Sequence, residues 1–169
     1  MSADTFDLPA DFENHHIEGY AVALQEQGKD ARFSAPLISH IDGNLWSGGC
    51  IDGVALPADF VHVVSLYPWE KYALSASTTR HEYRIYDSHV MESDQFTEAV
   101  ESTLRGLAKG PTLVHCQAGL NRSGVVSALV LIHQGRTPAD AVALLREKRS
   151  RAVLCNTTFE AFVLNGGAP

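Results

Sequence analysis

Three cysteines in 169 residues, Cys50, Cys116 and Cys155, are too few and too irregularly spaced for a disulfide framework or a paired-cysteine metal site. No apolar run approaches the roughly 20 residues needed to cross a bilayer. The opening Met1-Ser2-Ala3-Asp4 lacks the basic and apolar regions of a secretory signal. These absences lead us to expect a reducing, cytoplasmic setting and no membrane partner. Positive charge is scarce as well: a formal net charge of −7 argues against nonspecific binding to nucleic acid or to an anionic lipid surface. His15-His16 is an adjacent pair without further ligand spacing, so no metal site is expected. Internal repeats and low-complexity segments are missing, and the length suits one core, not two.

What is present divides unevenly. Residues 1–35 are acidic and carry no strand signal. Ile17, Tyr20, Ala21 and Leu24 fall at helical spacing, which predicts a short amphipathic helix, packed on the core, in an N-terminal extension. Residues 36–169 read as the main domain. Leu37-Ile38-Ser39-His40-Ile41 alternates, Asp42-Gly43-Asn44 reads as a turn, and Leu45-Trp46-Ser47 resumes extended structure. The β-branched run Val61 to Leu66 suits a buried parallel strand and stops at Pro68. Tyr83-Arg84-Ile85-Tyr86 reads as another short strand. A helix capped near Ser93 or Asp94 then presents Phe96, Val100, Leu104 and Leu107 on one face. Thr112-Leu113-Val114-His115 is a strand, and the helix from Val125 is apolar nearly all round, which places it centrally. Pro138 opens the next helix, and Thr157-x-x-Glu160 forms a capping box for the last. Strands alternating with helices imply an α/β fold: a mainly parallel central sheet of about five strands flanked by helices.

Between the strand ending at His115 and the helix from Val125 stands Cys116-Gln117-Ala118-Gly119-Leu120-Asn121-Arg122-Ser123. Amides at a helix start lack internal partners, so a loop there cradles a phosphate-sized anion. The same electropositive setting activates a cysteine at its lip. Arg122 adds a planar fork matched to two phosphoryl oxygens. Nucleophile, anion cradle and guanidinium together point to phosphate-ester chemistry.

The stretch His115-Cys116-x-x-Gly119-x-x-Arg122-Ser123 resembles the signature of cysteine-dependent protein tyrosine phosphatases, and the short chain is similar to their dual-specificity branch. The resemblance implies the fold of that superfamily and a phosphatase acting through a phosphocysteine intermediate on phosphotyrosine and phosphoserine or phosphothreonine of proteins or peptides. Cys116 is then the nucleophile. The amides of Gln117, Ala118, Gly119, Leu120 and Asn121, with the Arg122 side chain, bind the transferred phosphate. Ser123 donates to the sulfur or caps the helix, His115 orients the loop, and Gly119 keeps a Cβ from crowding the anion.

An aspartate about thirty residues upstream serves as general acid in the family. Asp87 matches it, with Asp94 and Glu92 as rivals. Asn156 either reaches the phosphate loop or simply caps the last helix. The run Arg146, Lys148, Arg149 and Arg151 reads as a helix end favoured by its dipole, or as a basic rim. The chain lacks room for the insert that deepens the phosphotyrosine slot of classical members, so a shallow cleft is expected; Tyr67-Pro68-Trp69-Glu70-Lys71-Tyr72 either walls it with aromatics or, for Trp69, packs as ordinary core or rim. Asn121 resembles the RNA 5′-triphosphatase domains of capping enzymes, an alternative substrate class. An inactive phosphate-binding module and a sulfur-transfer enzyme are others. No cofactor is implied, a monomer is expected, and Cys50 or Cys155 would be the thiols able to resolve an oxidised Cys116.

Overall fold

The computed structural model describes residues 6–168. A five-stranded sheet runs in the order β3-β4-β7-β5-β6, where β3 is Ile38–Asp42, β4 Leu45–Gly48, β5 His62–Ser65, β6 Thr79–Glu82 and β7 Thr112–His115. Only β3 and β4 pair antiparallel; β4–β7, β7–β5 and β5–β6 are parallel. The mainly parallel α/β sheet expected from the alternation of strands and helices is therefore present. Because successive side chains of a strand point to opposite faces, a sheet buried on both sides needs apolar residues at neighbouring positions. Val64, Val114 and Leu45 enter the larger core, and their neighbours Val63, Leu113 and Trp46 the smaller one.

The larger core lies beneath α3 (Ser93–Leu107), α4 (Arg122–His133), α5 (Pro138–Lys148) and α6 (Thr157–Leu164). Helix α4 packs against the other three, which accounts for its lack of a polar face. Val125, Val126, Val130 and Leu131 are fully buried, each worth about 1.5–3 kcal/mol relative to exposure. The opposite sheet face is covered by Phe12 of the one-turn α1 (Ala10–Glu13) and by loop residues Leu56, Phe60 and Tyr72. Among the described residues no helix is long and apolar enough to cross a membrane.

Three sequence-based expectations are corrected. Ile17 and Tyr20 do not share a helix with Leu24: His16–Tyr20 is a strand, β1, paired antiparallel with β2 (Arg32–Pro36), and only Val22–Glu26 is helical, as α2. Gly19 disfavours helix, and a Cβ on it would meet the Phe33 ring at 2.9 Å, so this position favours the bare strand. The strand expected at Tyr83–Tyr86 lies four residues earlier, at β6. As an edge strand with polar, partly exposed side chains, β6 escapes any search for apolar runs. Finally, α6 is capped by Asn156, not Thr157: Asn156 Oδ1 accepts from the amides of Thr158 and Phe159. Glu160 is paired with Arg146 instead of closing a capping box.

Candidate active site

Strand β7 sits in the middle of the sheet, so the chain leaves it at the carboxyl edge between two parallel neighbours, where such sheets bind ligands. The loop from Cys116 to Arg122 then turns into α4. Its shape follows from where the carbonyls go. The Cys116 carbonyl accepts from His115 Nδ1 at 3.1 Å, and that of Gln117 from the Cys50 amide at 3.0 Å. Those of Ala118 and Gly119 accept from Arg149, and that of Leu120 from the Leu154 amide at 3.1 Å. All peptide bonds here are trans, and a trans peptide sends its C=O and the next N–H in opposite directions. Five carbonyls drawn outward thus turn the amides of Gln117 through Asn121 inward. The Gly119 amide meets the Cys116 sulfur at 3.3 Å.

Ser123 Oγ lies 3.3 Å from the same sulfur. Of the two readings open for Ser123, contact with the sulfur is the one realised, since the α4 cap position is Asn121 and carries no side-chain capping bond. A backbone amide and a hydroxyl thus both contact the sulfur. Burial pushes the Cys50 thiol up to about 12 and raises that of Cys155 too. Arg122 is 7% exposed; its Nη1 donates to the Ile85 carbonyl at 3.1 Å, and the guanidinium lies 5.0 Å from the centre of the Tyr67 ring. Its Nε has no partner in the protein although it is buried, a donor poised for an anion.

Gly119 has a positive φ of +76°, and a Cβ there would stand 2.3 Å from the Gly48 carbonyl carbon and 2.5 Å from an Arg149 nitrogen. The β4 backbone and Arg149 behind the loop require the glycine. His115 is buried against Tyr72, ring centroids 5.3 Å apart, and burial lowers its pKa to about 4. It is neutral, and since a carbonyl only accepts, Nδ1 carries the proton. Tyr72 in turn donates to the Gly49 carbonyl at 2.6 Å.

Asp87 lines the cleft with Cys116 and Arg122. Its two oxygens are held by side-chain amides, Oδ2 by Asn121 Nδ2 at 3.0 Å and Oδ1 by Asn156 Nδ2 at 2.8 Å. The backbone amide of Asn156 donates to Asn121 Oδ1 at 2.9 Å, closing a ring of three residues. Of the two readings of Asn156 the cap is realised, and its side-chain nitrogen reaches Asp87 and the Ser88 carbonyl instead of the phosphate loop. Glu92 is engaged elsewhere, accepting from the Tyr86 amide at 3.2 Å and from Gln95 Nε2 at 3.1 Å. Asp94 lies in the first turn of α3 and does not cap it.

One supporting residue was missed. Arg149, read above as part of a helix end or basic rim, is 6% exposed and spans the back of the loop. Nε donates to Gly119 O at 2.6 Å, Nη2 to Ala118 O at 3.0 Å, and Nη1 to Pro36 O at 2.8 Å and Ser39 Oγ at 3.1 Å. Burial lowers its pKa to about 10, which leaves it charged at neutral pH. The N-terminal segment was misjudged too: β1 and α2 line the cleft, whose volume is about 900 Å³.

These features can be set beside known proteins. A 45-residue stretch is 51% identical to protein tyrosine phosphatase PRL-1 of Leishmania major, covering 25% of this chain and 26% of that protein; the match thus spans about a quarter of the relative's length. In structure the chain is similar to a mouse protein described as a dual-specificity phosphatase and complexed with zinc tungstate, with a TM-score of 0.70 at 16% identity over 78% of this chain and 87% of the other. Human DUSP28 gives 0.67 at 15% identity over 76% and 94%. The active form of Tk-PTP gives 0.61 at 25% identity over 78% and 96%. The model of the tyrosine phosphatase family matches residues 23–143. That span is well over half of the protein and includes the whole loop: the chain belongs to the tyrosine phosphatase family.

Proposed function

We propose that the chain hydrolyses phosphate monoesters through a phosphocysteine intermediate, with phosphotyrosine and phosphoserine or phosphothreonine of proteins as substrates. The observation that carries this reading is convergence. Inward amides, an unpartnered buried guanidinium nitrogen and a hydrogen-bonded sulfur meet at the floor of one cleft.

The Cys116 sulfur attacks phosphorus in line with the leaving oxygen; an S–P bond forms as the P–O bond breaks. Arg122 and the amides of Gln117 to Asn121 hold the equatorial oxygens, where charge develops. Protonated Asp87 passes its proton to the leaving oxygen. Its carboxylate next takes a proton from water as that water attacks phosphorus. The S–P bond breaks, its electron pair returns to sulfur, and Ser123 donates to the sulfur as it leaves. Asn121 and Asn156 keep Asp87 over the loop through both steps. Asn121 is occupied by Asp87 and Asn156, which favours this role over a capping-enzyme type of triphosphate recognition.

Turnover of an aryl phosphate tests the proposal. The unmodified protein is expected to hydrolyse it and to be inhibited by vanadate. Cys116→Ser should abolish turnover, and Arg122→Lys should lower kcat about 10²–10³-fold, the loss typical of one oxyanion donor. Hydrolysis that survives Cys116→Ser would overturn the mechanism.

A further inference from the structure

The cleft above the loop carries a charge pattern that phosphate binding does not explain. The lining includes β1 and α2, contributing Glu18, Tyr20 and Glu26, and loop residues Glu70 and Asp87. Of thirteen lysines and arginines, Arg122 alone lines the cleft. Its guanidinium is sunk beside Tyr67, with the free Nε available to the loop's anion.

Among the described residues, Glu18, Glu26 and Glu70 make no ion pair with any cation. Lys71, next to Glu70, is instead paired with Glu82 at 2.8 Å, and Arg84 lies over the Trp69 ring at 5.4 Å. The deep end thus takes one phosphate, while the mouth is acidic. At about 900 Å³ the cleft lies at the upper end of the ~300–1,000 Å³ range of ligand pockets, with room for groups beside the phosphate. A second anion there would be repelled by three unneutralised carboxylates, and a cation would be attracted. Next to the lining residues Glu70 and Asp87 stand Trp69 and Tyr86, 45% and 56% exposed with ring centroids 5.6 Å apart, an aromatic shelf suited to a peptide chain.

We infer that the cleft selects phosphorylated peptide segments carrying lysine or arginine beside the phosphorylated residue, with Glu18, Glu26 and Glu70 reading the basic flanks. This rests on the phosphatase reading and narrows it. Polyanionic substrates, including triphosphate-ended RNA and acid-flanked phosphopeptides, are disfavoured by the same carboxylates.

The test compares the full chain on two phosphotyrosine peptides of equal length, one flanked by arginines and one by glutamates, with aryl phosphate and triphosphate-ended RNA alongside. Exposed ion pairs are each worth a factor of about two, so kcat/KM at low ionic strength should favour the basic peptide roughly tenfold. That ratio should fall toward one in ~1 M salt and in the Glu18→Gln, Glu26→Gln, Glu70→Gln triple variant. A preference for the acidic peptide or for the RNA, a ratio near one, or a ratio insensitive to both salt and the triple variant would overturn the inference while aryl phosphate turnover keeps the phosphatase reading intact. Absence of aryl phosphate turnover in the unmodified protein would remove that reading, and this inference with it.

Discussion

Arg149 and Cys116 illustrate why one part of a site can be read from sequence and another cannot. Cys116, Gly119, Arg122 and Ser123 lie within eight consecutive residues, so their spacing alone encodes the cradle. Arg149 acts on carbonyls thirty positions upstream and on Pro36, 113 positions away, a relation that only the fold creates. We expect Arg149→Met to lower kcat/KM on aryl phosphate about 10²-fold, because the Ala118 and Gly119 carbonyls lose their donors and the loop shifts. Arg149→Lys should recover little, since one ammonium cannot reproduce a planar fork that reaches four acceptors; steady-state kinetics on both variants checks this. His115 makes a different prediction. Its folded-state pKa of about 4 lies below the ordinary value near 6.5. Between these values the unfolded chain binds more protons, so its contribution to stability is full above about 6.5 and falls as pH drops toward 4. Denaturant unfolding at pH 7 and pH 5 should show a loss of about 2 kcal/mol from this residue, absent in a His115→Asn variant.

At the scale of elements, periodicity succeeded where one face of an element meets the core and failed where an element is short or polar. Helices α3, α4 and α5 were legible because they run for several turns under one sheet face, and Thr137 with Pro138 marked the start of α5. The β1–β2 hairpin was not, because apolar residues three and four apart happened to straddle a five-residue strand and a five-residue helix. The α6 cap was displaced by one residue, and its consequence is functional. Asn156 caps with its oxygen and holds Asp87 with its nitrogen. Asn156→Asp should therefore keep the cap, since aspartate caps about as well as asparagine, while setting a carboxylate against Asp87. We expect a melting temperature close to that of the parent and a kcat at least tenfold lower on a substrate with a poor leaving group. Asn156→Ala should lose both, with the cap costing about 1 kcal/mol. Calorimetry paired with kinetics separates the two effects.

Across the whole molecule, a sheet buried on both faces divides the chain into a helical side and a loop-covered side, with the loop at their common edge. That architecture followed from alternating strands and helices, whereas the wall raised by the N-terminal segment depended on contacts that sequence does not display. Ile17 illustrates this, its Cδ1 close against the point where a Cβ on Gly49 would stand. The two tryptophans fall on either side of this plan. Trp46 is sealed between Phe6 and Phe60, while Trp69 stands at the rim with half its ring in water. Intrinsic fluorescence consequently comes from two independent reporters. A Trp69→Phe variant should emit at short wavelength, resist acrylamide, and redden only on denaturation; a Trp46→Phe variant should be quenched readily by acrylamide and shielded once a phosphopeptide fills the groove.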